Sequence, residues 1–393
     1  MRNVGVDESS VLTEDTYRKF RLNSPAGGWF PLLRNLSWCI TKANLPYTDL
    51  FFSPYLEGVT IHVSWSLSIP EVPRDVPPAI ASAISTLPAS ALESLFLEID
   101  HRGMPSAYFK DSVSSVVLRC GPALTEFLSP VPLSEAAVNH LIQLPHLRTW
   151  RIGGPPPKPA SASSLVLPPL TKLTLGEHAA RGWLSLFKHL EHGISTAHGP
   201  APLSRVKESL KSLDIEKLRD PIIDAPFTST IQLFRNLVSL NVRTNCHNGT
   251  GEDRCTFYLN NDDVAGLATT LPQINHLSLG RPCFKNACAT TVACLLLLST
   301  HCIKLKSLEI HFNTTNIVGD FADMVVNSRL LEIDRLPRCK LSRLDVSRTP
   351  LDLSPIGFEL VATGMRGIFP DLGGIAGQEQ IWHKLNERME RPP

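Results

Sequence analysis

Apolar residues along this chain return in one short phrase, L-x-x-L-x-L. Clear copies stand at 92–97 (LESLFL), 170–175 (LTKLTL), 210–215 (LKSLDI), 237–242 (LVSLNV), 274–279 (INHLSL), 305–310 (LKSLEI) and 341–346 (LSRLDV). At 147–152 (LRTWRI) Trp150 takes a leucine position. Looser copies lie at 33–38 (LRNLSW), 56–61 (LEGVTI), 124–129 (LTEFLS) and 369–374 (FPDLGG). The closing L-x-L alternates with period two, as a half-buried strand does. Its two apolar residues point inward and the one between them faces solvent. Segments with helical spacing follow most copies, among them 134–144, 181–189, 261–271 and 290–301. The last of these is the most apolar and is expected to be buried. Asn261, Asp262 and Asp263 supply capping chemistry at the start of the third.

One strand and one helix cannot bury their own apolar face, whereas stacked units share a continuous core. The expected fold is therefore α/β: a leucine-rich-repeat solenoid with a concave parallel sheet and helices on the convex side. Successive copies start 23 to 40 residues apart. Such repeats usually run roughly 20–29 residues, so several units carry insertions. Proline-rich stretches at 69–78 and 153–159, and a Gly/Ser/Pro stretch at 191–202, read as loops. The domain plan is a polar N-terminal segment or cap over 1–25, repeats over 26–376, and a capping helix with a tail over 377–393. Within the first segment, 16–22 is expected to form a short helix covering the open end of the first repeat. The C-terminal helix is expected over 378–388, with Ile381, Trp382, Leu385 and Met389 on one face.

Charge removes several function classes. The chain carries 38 basic and 37 acidic residues, and no basic run. Neither a nucleic-acid footprint nor a membrane surface is implied. The apolar run 292–298 is too short to cross a bilayer. The first twenty residues show no secretory pattern. Nine cysteines without paired spacing suit a reducing compartment, so the expected location is cytoplasmic or nuclear.

Candidate chemistry is sparse. Cys283, Cys288, Cys294 and Cys302, with His276 and His301, lack the knuckle spacing of a zinc site and read as buried thiols. Cys246 and Cys255 flank a polar loop. The run Pro155-Pro156-Pro157 has the composition of a polyproline ligand, although such runs are usually plain loops. His189 and His192 share a helical turn without an accompanying acid. No nucleophile elbow, phosphate loop or dinucleotide fingerprint is present. The expectation is a protein that is not an enzyme and needs no cofactor or metal.

What remains is the outward row of the strands. One ladder reads Phe96, Arg151, Thr174, Asp214, Asn241, Ser278, Glu309, Asp345. Its neighbour reads Glu98, Gly153, Gly176, Glu216, Arg243, Gly280, His311, Ser347. Both are polar and turn acidic toward the C-terminal half. A protein partner is expected on this concave face, held by Arg151, Asp214, Glu216, Asn241, Arg243, Glu309, His311 and Asp345. The plainer alternative is that these residues are only the solvated side of a sheet.

The wording of the repeats also resembles a family. FPLLRNLSWCI (30–40), SSVVLRCGPALTEFLSP (114–130), AAVNHLIQLPHLRTWRI (136–152), PPLTKLTLGEHAARGWLSLF (168–187), IQLFRNLVSLNV (231–242) and TTVACLLLLSTHCIKLKSLEIHFNTTNIV (290–318) resemble the leucine-rich-repeat part of F-box proteins of mushroom-forming fungi. The resemblance covers roughly residues 25–375. It implies that the repeats choose a substrate while an F-box docks on a Skp-type adaptor of a cullin ubiquitin ligase. The residues before the first copy do not spell the apolar L-P-x-E-like opening of an F-box. TEDTYRKFRL (13–22) resembles the stretch between F-box and repeats instead. The chain is thus expected to be the substrate arm, binding a Skp-type adaptor only if an F-box is missing from this sequence. A stand-alone scaffold or competitor is the alternative.

Overall fold

A computed structural model describes residues 13–25, 29–41, 44–63, 76–99, 107–156, 167–176, 179–192, 203–218, 225–244, 259–280, 289–326, 339–347, 353–377 and 380–390. The chain forms two compact units, the first ending at Val206 and the second starting at Lys207.

In the first unit, α1 (Glu14–Leu22) precedes strands β1 (Asn35–Ile40), β2 (Gly58–Val63), β3 (Ser94–Ile99), β4 (Glu126–Leu128), β5 (Thr149–Ile152) and β6 (Lys172–Leu175). Each strand pairs in parallel with the next in sequence. Parallel neighbours need a crossover. Here the crossovers include a 3-10 helix (Leu45–Phe51), α2 (Val76–Ser85), α3 (Ala107–Arg119) and α4 (Glu135–Gln143). Helices α5 (Ala180–His192) and α6 (Ser204–Ser209) follow β6.

The second unit repeats the plan with β7 (Ser212–Leu218), α7 (Ala225–Ile231), β8 (Ser239–Thr244), α8 (Asn261–Thr270), β9 (His276–Ser278), α9 (Ala293–His301), β10 (Ser307–Glu309), α10 (Ile317–Val326), β11 (Arg343–Ser347), α11 (Pro355–Ile368), β12 (Ile375–Gly377) and α12 (Gln380–Glu390). Its strands also pair in parallel and in order. The α/β repeat solenoid expected from the phrase is the observed fold.

The phrase works residue by residue. Its fourth position lines up as Leu36, Val59, Leu95, Phe127, Trp150 and Leu173 in the first unit. None of these is more than 4% exposed, so the register itself is fixed by burial. The second position has a backbone role. The carbonyl of Arg34 accepts from the amides of Glu57 and Gly58 in the next copy. Glu57, Glu93, Thr125, Arg148, Lys211, Val238, Asn275 and Lys306 do the same for the copies that follow them, all at 2.6–3.1 Å. Within each unit, copy is therefore stitched to following copy just before the strand begins.

Two boundaries differ from the sequence expectation. Phe369 to Gly374 is not the last strand. Ile375 pairs with Leu344, so the working copy is 372–377 (LGGIAG), three residues later. Phe369 instead stops α11 and is fully buried. The proline stretch 69–78 does not remain loop to its end, because Val76, Pro77 and Pro78 open α2. Proline is tolerated there, since the first turn needs no intrahelical amide.

Caps explain several helix starts. Ser134 accepts from Ala137 N at α4, at 3.3 Å. At α8 the cap is Asn260 rather than Asn261. Asn260 Oδ1 accepts from Asp263 N at 2.9 Å, and Asp263 Oδ2 accepts from Asn260 N at 3.2 Å. That reciprocal pair satisfies two orphan donors at once. Cys294, Leu295, Leu298 and Ser299 of α9 are buried, as its composition implies.

Both terminal helices act as covers. Tyr17 of α1 is buried, stacks on Tyr47 at 5.8 Å and meets Trp38 edge-on at 6.1 Å. Arg21 clamps the helix down by donating to both oxygens of Asp49, at 2.8 and 2.6 Å, and to Pro46 O at 2.8 Å. At the other end Trp382 and Leu385 are buried, and Asn386 Oδ1 accepts from Ile375 N at 2.8 Å. The side chain of Met389 lies outside the described residues. Among the described residues, no helix is long and apolar enough to cross a membrane.

Candidate functional site

The fifth position of each copy faces away from the core. In the first unit it forms the row Ser37, Thr60, Phe96, Leu128, Arg151, Thr174 in direct register. Phe96, Arg151 and Thr174 stand in the expected ladder. Thr174 is only 5% exposed, so it offers little surface. Leu128 was hidden because its copy lacks the closing leucine. It sits beside Phe96 and makes this stretch of the row apolar. Arg151, next to Leu128, is half-buried.

The seventh position diverges within this unit. Across β1–β3 it places Cys39, His62 and Glu98 side by side. His62 Nδ1 lies 2.7 Å from Glu98 Oε2. At β5 the position is Gly153, where a Cβ would collide with the Pro130 carbonyl oxygen. A side chain is excluded there by close backbone approach, not by function. The following loop is anchored as well: Trp183 Nε1 donates to Gly154 O at 3.1 Å, and Pro156 presses on Gly182. The start of the proline segment is thus part of the core cover. Pro157 and the rest of the segment lie outside the described residues.

The second unit carries the remaining expected residues. Its fifth-position row is Asp214, Asn241, Ser278, Glu309, Asp345 and Ala376. Seven of the eight expected partner-binding residues thus belong here: Asp214, Glu216, Asn241, Arg243, Glu309, His311 and Asp345. Arg151 belongs to the first unit. The row is electrostatically ordered. Arg243 Nη2 lies 3.7 Å from Asp214 Oδ2, reaching diagonally from the adjacent strand. Ser278 Oγ donates to Glu309 Oε2 at 2.9 Å. Arg343, the first residue of β11 and the third position of its copy, lies 3.9 Å from Asp345 Oδ2. Arg343 lies outside the two expected ladders, which hold the fifth and seventh positions. The third position also points outward, and period two alone would have included it.

These pairs are unequal. The Asp214 and Asp345 side chains are 19% exposed, whereas Arg243 and Arg343 are 60% and 68% exposed. The carboxylates form the floor and the guanidiniums lie over them. Exposed pairs of this kind contribute about 0–1 kcal/mol, so the arginines are easily displaced. His311 is half-buried just past β10, and its carbonyl accepts from Thr290 Oγ1 at 2.8 Å. Burial pushes its pKa down to about 4, so the ring is neutral at pH 7 and adds no positive charge to the row.

Other sequence candidates separate cleanly. Cys294 and Cys302 are buried, while His276 and His301 are exposed. Cys246, Cys255, Cys283 and Cys288 lie outside the described residues. Among the described residues no three His, Cys, Asp or Glu side chains group as metal ligands. His189 is an exposed residue of α5.

The chain matches no family model, and no curated protein matches it.

Proposed function

We propose that this protein is a recognition scaffold whose outward sheet face in the second unit holds a protein partner. The observation that carries the reading is the register of Asp214, Asn241, Ser278, Glu309 and Asp345 on five successive strands. Strands stand about 4.8 Å apart, so the row presents polar groups at a regular pitch along a rigid support. Three of the five are carboxylates, each held by a neighbour that a partner group can replace. Such a row suits a partner segment rich in Lys, Arg and hydrogen-bond donors, and charge complementarity sets its register and association rate.

The family resemblance supports a finer reading: the substrate arm of an F-box-type ubiquitin ligase subunit. In that role the mechanism is positioning. The repeats hold the target while another subunit delivers ubiquitin.

Two measurements test this. Replacing Asp214, Glu309 and Asp345 by lysine is expected to abolish retention of proteins captured by the unaltered chain, while circular dichroism stays unchanged. Equal retention by the folded variant removes the row from consideration. Direct titration with a purified Skp-type adaptor addresses the finer reading. Binding supports ligase assembly, and no binding leaves a stand-alone scaffold or competitor.

A further inference from the structure

The seventh positions of the first three copies spell Cys39, His62 and Glu98, and the parallel register sets them on adjacent strands. All three lie on the solvent side, with Cys39 and His62 half-buried and Glu98 exposed. Cys39 carries a thiol, not a disulfide. The 2.7 Å contact from His62 Nδ1 to Glu98 Oε2 has one reading, since a carboxylate only accepts: Nδ1 carries the proton. In the neutral ring Nε2 then keeps its lone pair. Glu98 is on β3, so the Nδ1 edge of the ring is turned toward β3. The opposite edge is turned toward β1, where Cys39 is the register partner of His62, roughly 4.8 Å away between strands. The other outward positions of these strands, Asn35, Ser37, Gly58, Thr60, Ser94 and Phe96, are uncharged. Among the described outward positions of β1–β3, Glu98 is thus the charged neighbour of the imidazole.

We infer that Cys39 is a reactive thiol, with His62 as its proton acceptor and Glu98 as the group that orients the imidazole. The site takes small disulfides of the glutathione type. The thiol proton moves from Cys39 Sγ to His62 Nε2, and the thiolate attacks one sulfur of RS–SR. A new S–S bond forms as the old one breaks, and the departing thiolate takes the proton from Nε2. The balance is protein–SH plus RSSR giving protein–S–SR plus RSH, so no further oxidant is needed. The adduct would occupy the face beside Ser37, Thr60 and Phe96. It would therefore mark one part of the outward surface of the first unit.

The buried cysteines provide an internal contrast. Burial pushes the thiols of Cys120 and Cys302 up to about 12 and that of Cys339 up to about 11. Thiols of this kind hold their protons and are inert in the folded protein.

The test uses the full chain under native conditions with oxidised glutathione as the probe. Mass spectrometry of the peptide containing Cys39 gives the rate of adduct formation. The unaltered protein is expected to react at Cys39 about tenfold faster at pH 7 than His62→Asn, with Glu98→Gln between them. The gap should close above roughly pH 9, where a free thiol in water ionises without help. Cys39→Ser should lose the adduct on that peptide, and circular dichroism should be the same for all four proteins. Equal rates for the unaltered protein and folded His62→Asn from pH 6 to 9 overturn the proposal. So does an absence of adduct at Cys39 in the native chain when the urea-unfolded chain reacts there.

Discussion

Two tryptophans show how much one polar atom decides. Trp150 and Trp183 are both fully buried and meet edge-on at 5.4 Å. The Trp183 indole donates to Gly154 O, whereas Trp150 Nε1 has no hydrogen-bond partner among the described residues. An orphaned buried donor costs about 1–3 kcal/mol. Trp150→Phe removes that donor along with some packing, so it is expected to cost less than about 1 kcal/mol. Trp183→Phe strands a carbonyl and is expected to cost more, about 1–3 kcal/mol. Urea unfolding of both variants checks the order, and a reversed order rejects this account. The sequence already placed Trp150 in a leucine position, because the phrase marks burial. It could not reveal which indole finds a partner, because Gly154 lies in a loop whose path depends on α5. His311 carries a second residue-level expectation. Its folded pKa of about 4 lies below the ordinary histidine value of 6.5, so the unfolded chain binds the proton first. Stability is fully present above about pH 6.5 and falls as pH drops toward 4. The ring is only half-buried, so after discounting for solvent the loss is about 1–2 kcal/mol. His311→Asn should flatten that part of the pH profile. An unchanged slope would place the titration elsewhere.

At the level of elements, the apolar phrase located the strands because each of its positions has a separate physical task. The first and fourth positions are buried, and the second supplies the carbonyl that receives two amides from the next copy. The last copy was misread by three residues because Phe369 and Leu372 imitate its first and fourth positions. Tertiary burial of Phe369 behind α11 resolved the imitation. Helix starts were legible where a side chain caps them, as at Ser134, and were displaced by one residue where Asn260 and Asn261 compete for the task. Helix packing was not legible. Gly364 of α11 lies so close to Phe321 of α10 that a Cβ would collide with the ring. A helix-interior glycine ordinarily gains about 1 kcal/mol on replacement by alanine. Here Gly364→Ala is expected to destabilise instead, by about 1–3 kcal/mol, because a buried ring must move. Thermal unfolding tests the sign, and stabilisation would mean that Phe321 yields without cost. The outward rows follow the same division. Their membership could be read from period two wherever the copies are clear. Leu128, Cys39 and His62 stand outside the expected ladders because their copies depart from the leucine spelling, and Arg343 because it occupies a third position.

On the scale of the molecule, the strand order has an energetic consequence. Among the described residues, within each unit every strand pairs only with its neighbours in sequence. Stability then behaves as a sum of repeat terms and nearest-neighbour terms, and a lesion at one end propagates by proximity. Trp382 offers a place to make such a lesion. It is fully buried on α12, meets Phe312 edge-on at 6.4 Å and rests on Gly377 of β12. Replacing a buried tryptophan by alanine costs about 3–5 kcal/mol. With the cover loosened, β12 loses the support of α12, including the acceptor that Asn386 offers to Ile375 N. Amide hydrogen exchange of Trp382→Ala should therefore quicken most in β12, less in β11 and β10, and least in β7 and β8. A uniform increase from β7 to β12 would show instead that the second unit opens as one cooperative body. The gradient matters for recognition. Asp345 lies at the yielding end of the carboxylate row and Asp214 at the firm end. A partner that spans both should slow exchange in β11 more than in β7, because binding energy is spent on ordering the weaker strand.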